Sequence, residues 1–369
     1  MSSRRSSMLT LAVVICSAAL MAACGYKGEE TVKEKDFAVS NSVQTAIGAA
    51  GSTFINPIMT KWIAAYQQAH PNTLVNYRPI GSGAGIELLK QNTLEIAASD
   101  MALSDDQLKQ MFPVIQVPIA AGAVCAVYNL PGLKSPLRLS SSTLAGIFLG
   151  NIISWQDPAI ARDNPSVALP HLAIIVVHRF EGSGTTSIFT SYLSKVSPDW
   201  SRKAGSGLAV QWPVGIAQQG STGVLDFVKT NAGTIGYAEL NYAAEKHLPV
   251  ASIQNRGGSF ITPSSASTTT AVQAFESELA QDVRVSIVDP PASAKDAYPI
   301  SGLSFFLIAK DGSDTTERQA IRDFAQYIIT GGQDLSEGLD YARLPKPMQV
   351  HALALLGEMQ SNGQPVKTT

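Results

Sequence analysis

The sequence predicts an α/β fold with largely parallel sheets, and three observations carry that prediction. Short apolar, β-branched runs alternate with segments whose apolar residues recur at helical spacing. Several of the runs pass into a helix start through a turn of glycine, serine and threonine. The units are irregularly spaced and no fixed-period repeat stands out, which argues against a barrel. With 369 residues, 45% apolar and 15% charged, the chain has enough material for two domains with sizeable cores.

In chain order, the strand-like runs are "LVNYRPI" before the helical "GAGIELLKQN", "LEIAAS" before Asp100, "VCAVYN", "LAIIVVHR", "TIGYAEL" and "LSFFLIAKD". The last precedes "TTERQAIRDFAQYIITGG", where Asp314 with Glu317 reads as a capping box, Ile321, Phe324 and Ile328 share one face, and Gly331-Gly332 stops the helix. Asn56-Pro57 reads as a capping amide before a proline at the first helical position, with Ile58, Trp62, Ile63 and Tyr66 as the apolar stripe. After "LAIIVVHR", residues Ile188, Phe189, Tyr192, Leu193 and Val196 repeat as the inner face of another helix. "SFITPSSASTTTA", around 259 to 271, reads as a surface loop.

The N-terminus has the layout of an export signal: Arg4 and Arg5, an apolar run from Met8 to Met21, then Ala22-Ala23-Cys24. A cysteine directly after small residues resembles a bacterial lipobox, with Cys24 as the lipidated residue; a plain signal peptide cut nearby is the alternative. Residues 1 to 24 are thus expected to be a lipoprotein signal and the polar stretch 25 to 44 a flexible tether, leaving the mature protein outside the cytoplasm. Cys16 leaves with the signal and Cys125 is then alone, so no disulfide framework is expected.

A net charge of -2 gives no basic field for nucleic acid, so a bound anion must be held by local geometry. Three turns have the grammar for it. In "HRFEGSGTTSIFTSYL" the helix start supplies unpaired amides, Gly182 and Gly184 permit close approach, Ser183 and Thr185 add hydroxyl donors, and Arg179 adds a charged fork. In "GAAGSTFINP" the donors are Ser52, Thr53 and the amide of Phe54, and in "PIGSGAGIELL" Ser82 lies between glycines. Each turn alone is equally well an N-capped helix after a flexible loop, but ligands collect at strand carboxyl ends in open α/β sheets. Asp100 also ends a strand. A carboxylate repels a bound anion unless that anion carries a proton to donate, which hydrogen phosphate does and sulfate at neutral pH does not. The other reading of Asp100 is a cap for "MALSDDQ". Glu181 either pairs with Arg179 or points to water, and pairing is the reading preferred here.

With these residues assembled, the chain resembles the phosphate-binding subunits of bacterial high-affinity phosphate (Pst) ABC transporters. The match runs from "GAAGSTF" through "YRPIGSGAGIELL", "AASDMALSDDQL", "VYNLPGLKSPLRLSSSTLAGIFLGNIISWQDPAIARDNP", "HRFEGSGTTSIFTSYLSKV", "QWPVG", "GTIGYAELNYA" and "YPISG" to "LDYARLP". The resemblance implies a two-lobed, type II-like periplasmic-binding-protein fold with the ligand in the cleft between lobes joined by two crossover segments. On this chain lobe I would comprise 45 to 120 and 299 to 369, lobe II 121 to 298, with crossings near "VPIAAGAV" and "DAYPIS". It implies phosphate contacts by Thr53, Phe54, Ser82, Asp100 as proton acceptor, Arg179, Ser183, Gly184 and Thr185, with Glu181 supporting Arg179. It further implies a non-enzymatic binding protein without cofactor or metal, lipid-anchored in the periplasm or on the outer face of the cytoplasmic membrane. Its partners would be inorganic phosphate and the transmembrane permease subunits and ATPase of an importer. The chain departs from the family pattern at Gly83-Ala84-Gly85 in place of Ser-Gly-Gly after the serine, and at Glu181 in place of aspartate.

The rival readings are a binding protein for another tetrahedral oxyanion, sulfate or molybdate, which Asp100 argues against, and a secreted phosphatase-like hydrolase. Against the hydrolase, Ile80 and Glu181 stand where a Gly-x-Ser-x-Gly elbow around Ser82 or Ser183 needs glycine. The five histidines have no metal-ligand spacing. A dinucleotide site at "GSGAG" lacks the last glycine, since Ile86 stands there.

Overall fold

The computed structural model describes residues 45 to 367; the expected signal, Cys24 and the tether lie outside them. The chain opens with β1 (Thr45–Gly51), α1 (Asn56–Ala69), β2 (Thr73–Arg78), α2 (Ser82–Lys90), β3 (Ile96–Ser99), α3 (Asp105–Leu108) and the long β4 (Val114–Tyr128). A middle stretch follows with β5 (Arg138–Leu139), α4 (Ser141–Phe148), α5 (Pro158–Asp163), β6 (Ile175–Arg179), α6 (Gly184–Val196), α7 (Pro198–Lys203), β7 (Ile216–Gln218), α8 (Gly220–Thr230), β8 (Thr234–Glu239) and α9 (Leu240–Glu245). Then come β9 (Ser252–Gln254), β10 (Phe260–Ile261), α10 (Ser265–Gln273) and α11 (Glu276–Leu279). The chain closes with β11 (Ser301–Ala309), α12 (Thr315–Ile329), two short 3-10 turns, α13 (Lys346–Leu356) and a hairpin of β12 (Gln360–Ser361) and β13 (Gln364–Pro365).

Eight strands are ordered β2-β1-β3-β11-β4-β8-β6-β7. β4 changes partner along its length: Val114 to Ala123 pair with β11, and Val124 to Tyr128 pair with β8. The sheet therefore has two halves that share one strand, the architecture of a two-lobed binding-protein fold. β1 and β3 run parallel to each other, and β8 and β6 run parallel to each other, but β3, β11, β4 and β8 are successively antiparallel. β4 thus runs parallel to β1 and β3 in one half and antiparallel to β6 and β8 in the other. As a result the carboxyl ends of β1, β3, β6 and β8 all point toward the partner switch in β4, where Val124 stands opposite Glu239. Strand direction alone brings Gly51, Ser99, Arg179 and Glu239 toward one place.

This antiparallel centre corrects the expectation of largely parallel sheets. "VCAVYN" marked only the end of β4; its first part, "VIQVPIAAGA", contains a proline and small residues and gives no alternating pattern. Two local expectations also change. Asn56 does not cap α1: Ile55 occupies the cap position without a side-chain bond, Asn56 is already helical, and its amide donates to Tyr242 Oη at 3.3 Å. The stretch 259 to 271 is not a loop but holds β10 and most of α10. Ser264 and Ser267 form a reciprocal capping box, while Thr268, Thr269 and Thr270 return their hydroxyls to carbonyls four residues back. Buried Thr268, Ala271 and Val272 anchor its inner face.

α12 matches its sequence reading in its cap and its inner face but not in the full capping box: Asp314 accepts from the amides of Thr316 and Glu317, no reciprocal bond from the Asp314 amide to the Glu317 side chain is formed, and Ile321, Phe324 and Ile328 are buried. In α6, Ile188, Phe189, Tyr192 and Leu193 are buried as their spacing requires. Phe189 stacks on Tyr237 at 4.5 Å between ring centroids, so the strand-turn-helix unit carrying Arg179 rests on a packed aromatic base.

Candidate functional site

In the half built on β1, β2 and β3, Asp100 directly follows β3 and is 5% exposed. Three buried serines surround its carboxylate. Ser52 Oγ lies 2.7 Å and 2.6 Å from its two oxygens, Ser304 Oγ donates to Oδ1 at 2.6 Å, and Ser82 Oγ lies 3.3 Å from Oδ2. Burial lifts the Asp100 pKa to about 7; the hydrogen bonds from Ser304 and Ser52 oppose that rise, and the charge of Glu239 adds to it. Asp100 is not a helix cap, since Ser104 caps α3 with Gln107 completing the box. Thr53 and Phe54 follow β1, and the Phe54 amide donates to Ser52 Oγ at 2.9 Å.

In the other half, Arg179 ends β6 and is 3% exposed. Its Nε donates to Glu181 Oε1 at 2.7 Å, and its NH2 pairs with the same oxygen. Glu181 also accepts from the amide of Gly220 at 3.2 Å, so the carboxylate joins the arginine to the start of α8. The reading of Glu181 as the partner of Arg179 agrees with this geometry. The longer glutamate side chain reaches both groups while remaining 20% exposed. Arg179 NH1 donates to Ser221 Oγ at 2.9 Å and lies 3.4 Å from Thr185 Oγ1.

The turn Gly182 to Thr185 starts α6. Ser183 is its N-cap and accepts from the Thr186 amide at 3.2 Å, so the capping reading of this turn holds for Ser183. A hydroxyl that accepts one bond keeps its proton, and Ser183 remains a donor. The amides of Gly184 and Thr185, in the first helical turn, have no intrahelical acceptor and supply the positive end of the helix dipole. Thr185 departs from its expected role as a hydroxyl donor: its Oγ1 donates to Glu239 Oε1 at 2.6 Å.

The two halves meet across this site. Arg179 NH2 donates to Thr53 Oγ1 at 3.2 Å, and the Gly83 amide donates to the Gly182 carbonyl at 3.0 Å. A Cβ on Gly184 would collide with Asp100 Oδ2 and Ser82 Oγ, so this approach requires glycine. Ala84, by contrast, is exposed, which explains why an alanine is tolerated where the family pattern has glycine.

The structure therefore brings Thr53, Phe54, Ser82, Asp100, Arg179, Glu181, Ser183, Gly184 and Thr185 to one place. Ser52, which the sequence reading offered as a donor to a bound anion, instead directs its hydroxyl to Asp100. Ser221, Ser304 and Glu239 were missed. Ser221 had a signal: "IAQQGSTGVLDF" runs from a strand through glycine, serine and threonine into a helix, like the three turns that were recognised. Glu239 also had a signal, since like Asp100 it is a carboxylate at the carboxyl end of a strand, here "TIGYAE"; Ser304 had none, because a polar residue inside an apolar strand does not announce which face it occupies. Arginine, hydroxyls, helix-start amides and a buried carboxylate together suit a tetrahedral oxyanion that carries at least one proton. Among the described residues no group of three or more His, Cys, Asp or Glu side chains is placed to hold a metal ion.

A family model described as a PBP superfamily domain matches residues 38 to 331. The phosphate-binding protein PstS of Xylella fastidiosa (strain 9a5c) is 39% identical over 300 residues, covering 81% of this chain and 81% of its own. That of Pasteurella multocida (strain Pm70) is 38% identical over 311 residues, covering 84% and 89%. Among solved structures, a high affinity periplasmic phosphate-binding protein bound with phosphate superposes with a TM-score of 0.65 at 21% identity, over 84% of this chain and 93% of its own. A phosphate-binding protein from Stenotrophomonas maltophilia gives a TM-score of 0.63 at 18% identity, over 84% and 94%.

Proposed function

Because this chain belongs to the PBP superfamily and, within it, to the PstS phosphate-binding proteins, we propose that it captures inorganic phosphate outside the cytoplasm and delivers it to an ABC importer. The observation that carries this reading is the pairing of Arg179 and two helix starts with a buried carboxylate. Arg179, the amides at the start of α6, Ser183 and Ser82 hold the anion, and Asp100 accepts a proton from it. Phe54 and Thr53 contribute from the start of α1, Gly184 lets the halves approach, and Glu181 keeps the guanidinium aimed. The protein binds and releases without chemistry on the ligand.

Lobe I comprises 45 to 120 and 299 to 369, and lobe II 121 to 298. The partner switch inside β4 supports that division. Ligand contacts drawn from both lobes favour their closure by hinge motion. The partners are the transmembrane permease subunits and ATPase of the importer, and acylated Cys24 holds the protein to the membrane outside the cytoplasm. The support for that anchor is the signal-like layout ending in Ala22-Ala23-Cys24.

Calorimetric titration with inorganic phosphate, run beside an assay for release of a chromogen from a phosphoester, tests this function. Saturable one-site binding without turnover is expected. Absence of binding, or steady hydrolysis, would reject it.

A further inference from the structure

Tyr242, on α9, belongs to the same half of the sheet as Arg179 but turns its hydroxyl to the turn after β1 in the opposite half. Its Oη donates to the Thr53 carbonyl at 3.3 Å and accepts from Asn56 Nδ2 at 3.3 Å. It completes a set of three. The Ser52 carbonyl takes the hydroxyl of Tyr77, in β2, at 2.5 Å, and the Phe54 carbonyl takes that of buried Tyr341 at 2.5 Å. Three consecutive carbonyls of one turn are thus each held by a tyrosine. Across a trans peptide the C=O and N–H point opposite ways, so a hydroxyl on the Thr53 carbonyl fixes the direction of the Phe54 amide. That amide donates to Ser52 Oγ, and Ser52 Oγ donates in turn to Asp100. All the protons point one way along the chain from Asn56 through Tyr242, the peptide and Ser52 to the carboxylate, so each bond polarises the next.

We propose that Tyr242 is a positioning residue that latches the closed cleft onto the anion-binding turn, so that it governs how long phosphate stays rather than how fast it arrives. This inference rests on reading the site as a phosphate cradle. Tyr77 and Tyr341 lie in the same half as the turn, and their bonds persist whether the halves are together or apart. The Tyr242 bond crosses between the halves and exists only while they touch. Its length agrees with that role: at 3.3 Å against 2.5 Å for the other two, it has room to shorten as a ligand held from both sides draws the halves together. Burial pushes the Tyr242 phenol up to about 12 and those of Tyr77 and Tyr341 well above the ordinary tyrosine value, so all three remain donors at neutral pH. When the halves part, water takes the place of the Thr53 carbonyl, and the open, ligand-free protein gains nothing from this hydroxyl.

The test is the association and dissociation rate of radiolabelled phosphate, read by rapid mixing, for the unmutated protein, Tyr242→Phe, Asn56→Ala and the double variant, beside the thermal midpoint of each without ligand. Tyr242→Phe removes one oxygen and leaves the Arg179–Thr53 and Gly83–Gly182 contacts between the halves in place. It is expected to speed dissociation about three- to tenfold, the worth of one hydrogen bond, with association and midpoint unchanged. Asn56 does not cap α1, so Asn56→Ala is expected to act in the same direction in smaller measure and to add nothing in the double variant. A merely structural Tyr242 would lower the midpoint, and the two substitutions would add. If Tyr242→Phe does not fold, Asn56→Ala decides alone. Unchanged dissociation, slower association alone, or a lowered midpoint would overturn this inference while leaving phosphate binding intact; no phosphate binding by the unmutated protein would overturn both.

Discussion

Asp100 is the residue on which the reading of the site turns, and its environment makes a sign-definite prediction. Burial raises its pKa from the ordinary aspartate value of 3.8 to about 7, so between those values the folded, ligand-free protein holds a proton that the unfolded chain has released. Stability from this group is fully present at the acid end and is lost as pH rises through about 7, with a slope of at most about 1.4 kcal/mol per pH unit. Asp100→Asn keeps a neutral side chain at all pH values. Chemical denaturation of the ligand-free proteins is therefore expected to show the variant gaining on the unmutated protein as pH rises from about 4 to about 7. A constant stability difference across that interval would mean that Asp100 is not held protonated by burial. The three serines around the carboxylate keep it in place, and the collision that any Gly184 side chain would have with it shows how closely the two halves approach.

At the scale of elements, the recurring unit is a strand that ends at the cleft, a turn rich in glycine and hydroxyls, and a helix whose first amides are unpaired. Three such units were legible because the apolar periodicity changes from strand-like to helical across a few residues, as between "LAIIVVHR" and Ile188. A fourth, at Gly220-Ser221, was less visible because β7 is only three residues long. Ser304 was illegible for a different reason: it is a single polar residue inside a buried strand, and only the pairing register reveals that it faces the site. The error at 259 to 271 has the same origin in composition. Serine and threonine read as loop formers, yet the Ser264 and Ser267 caps and the returned threonine hydroxyls make a helix of them. Ser264→Ala is expected to cost about 1 kcal/mol and to lower the thermal midpoint without changing phosphate affinity. An unchanged midpoint would mean that the cap adds nothing to the stability of α10.

For the whole molecule, the decisive feature is that one strand, β4, belongs to both halves of the sheet and turns their carboxyl ends toward each other. That geometry was only partly readable, because the small and proline-containing first half of β4 has no strand signature, while the resemblance in the surrounding motifs did imply two lobes and a cleft. The site draws Asp100, Ser82 and Thr53 from one half and Arg179, Ser183 and Gly184 from the other, and neither set alone offers both charge and a proton acceptor. Selection therefore belongs to the assembled pair. Its most direct test is side-by-side calorimetric titration of the protein with phosphate and with sulfate at about pH 8, repeated on Asp100→Asn. The account predicts tight binding of phosphate and none detectable of sulfate, with a variant that weakens toward phosphate and narrows the gap. Equal affinity for the two anions in the unmutated protein would contradict it.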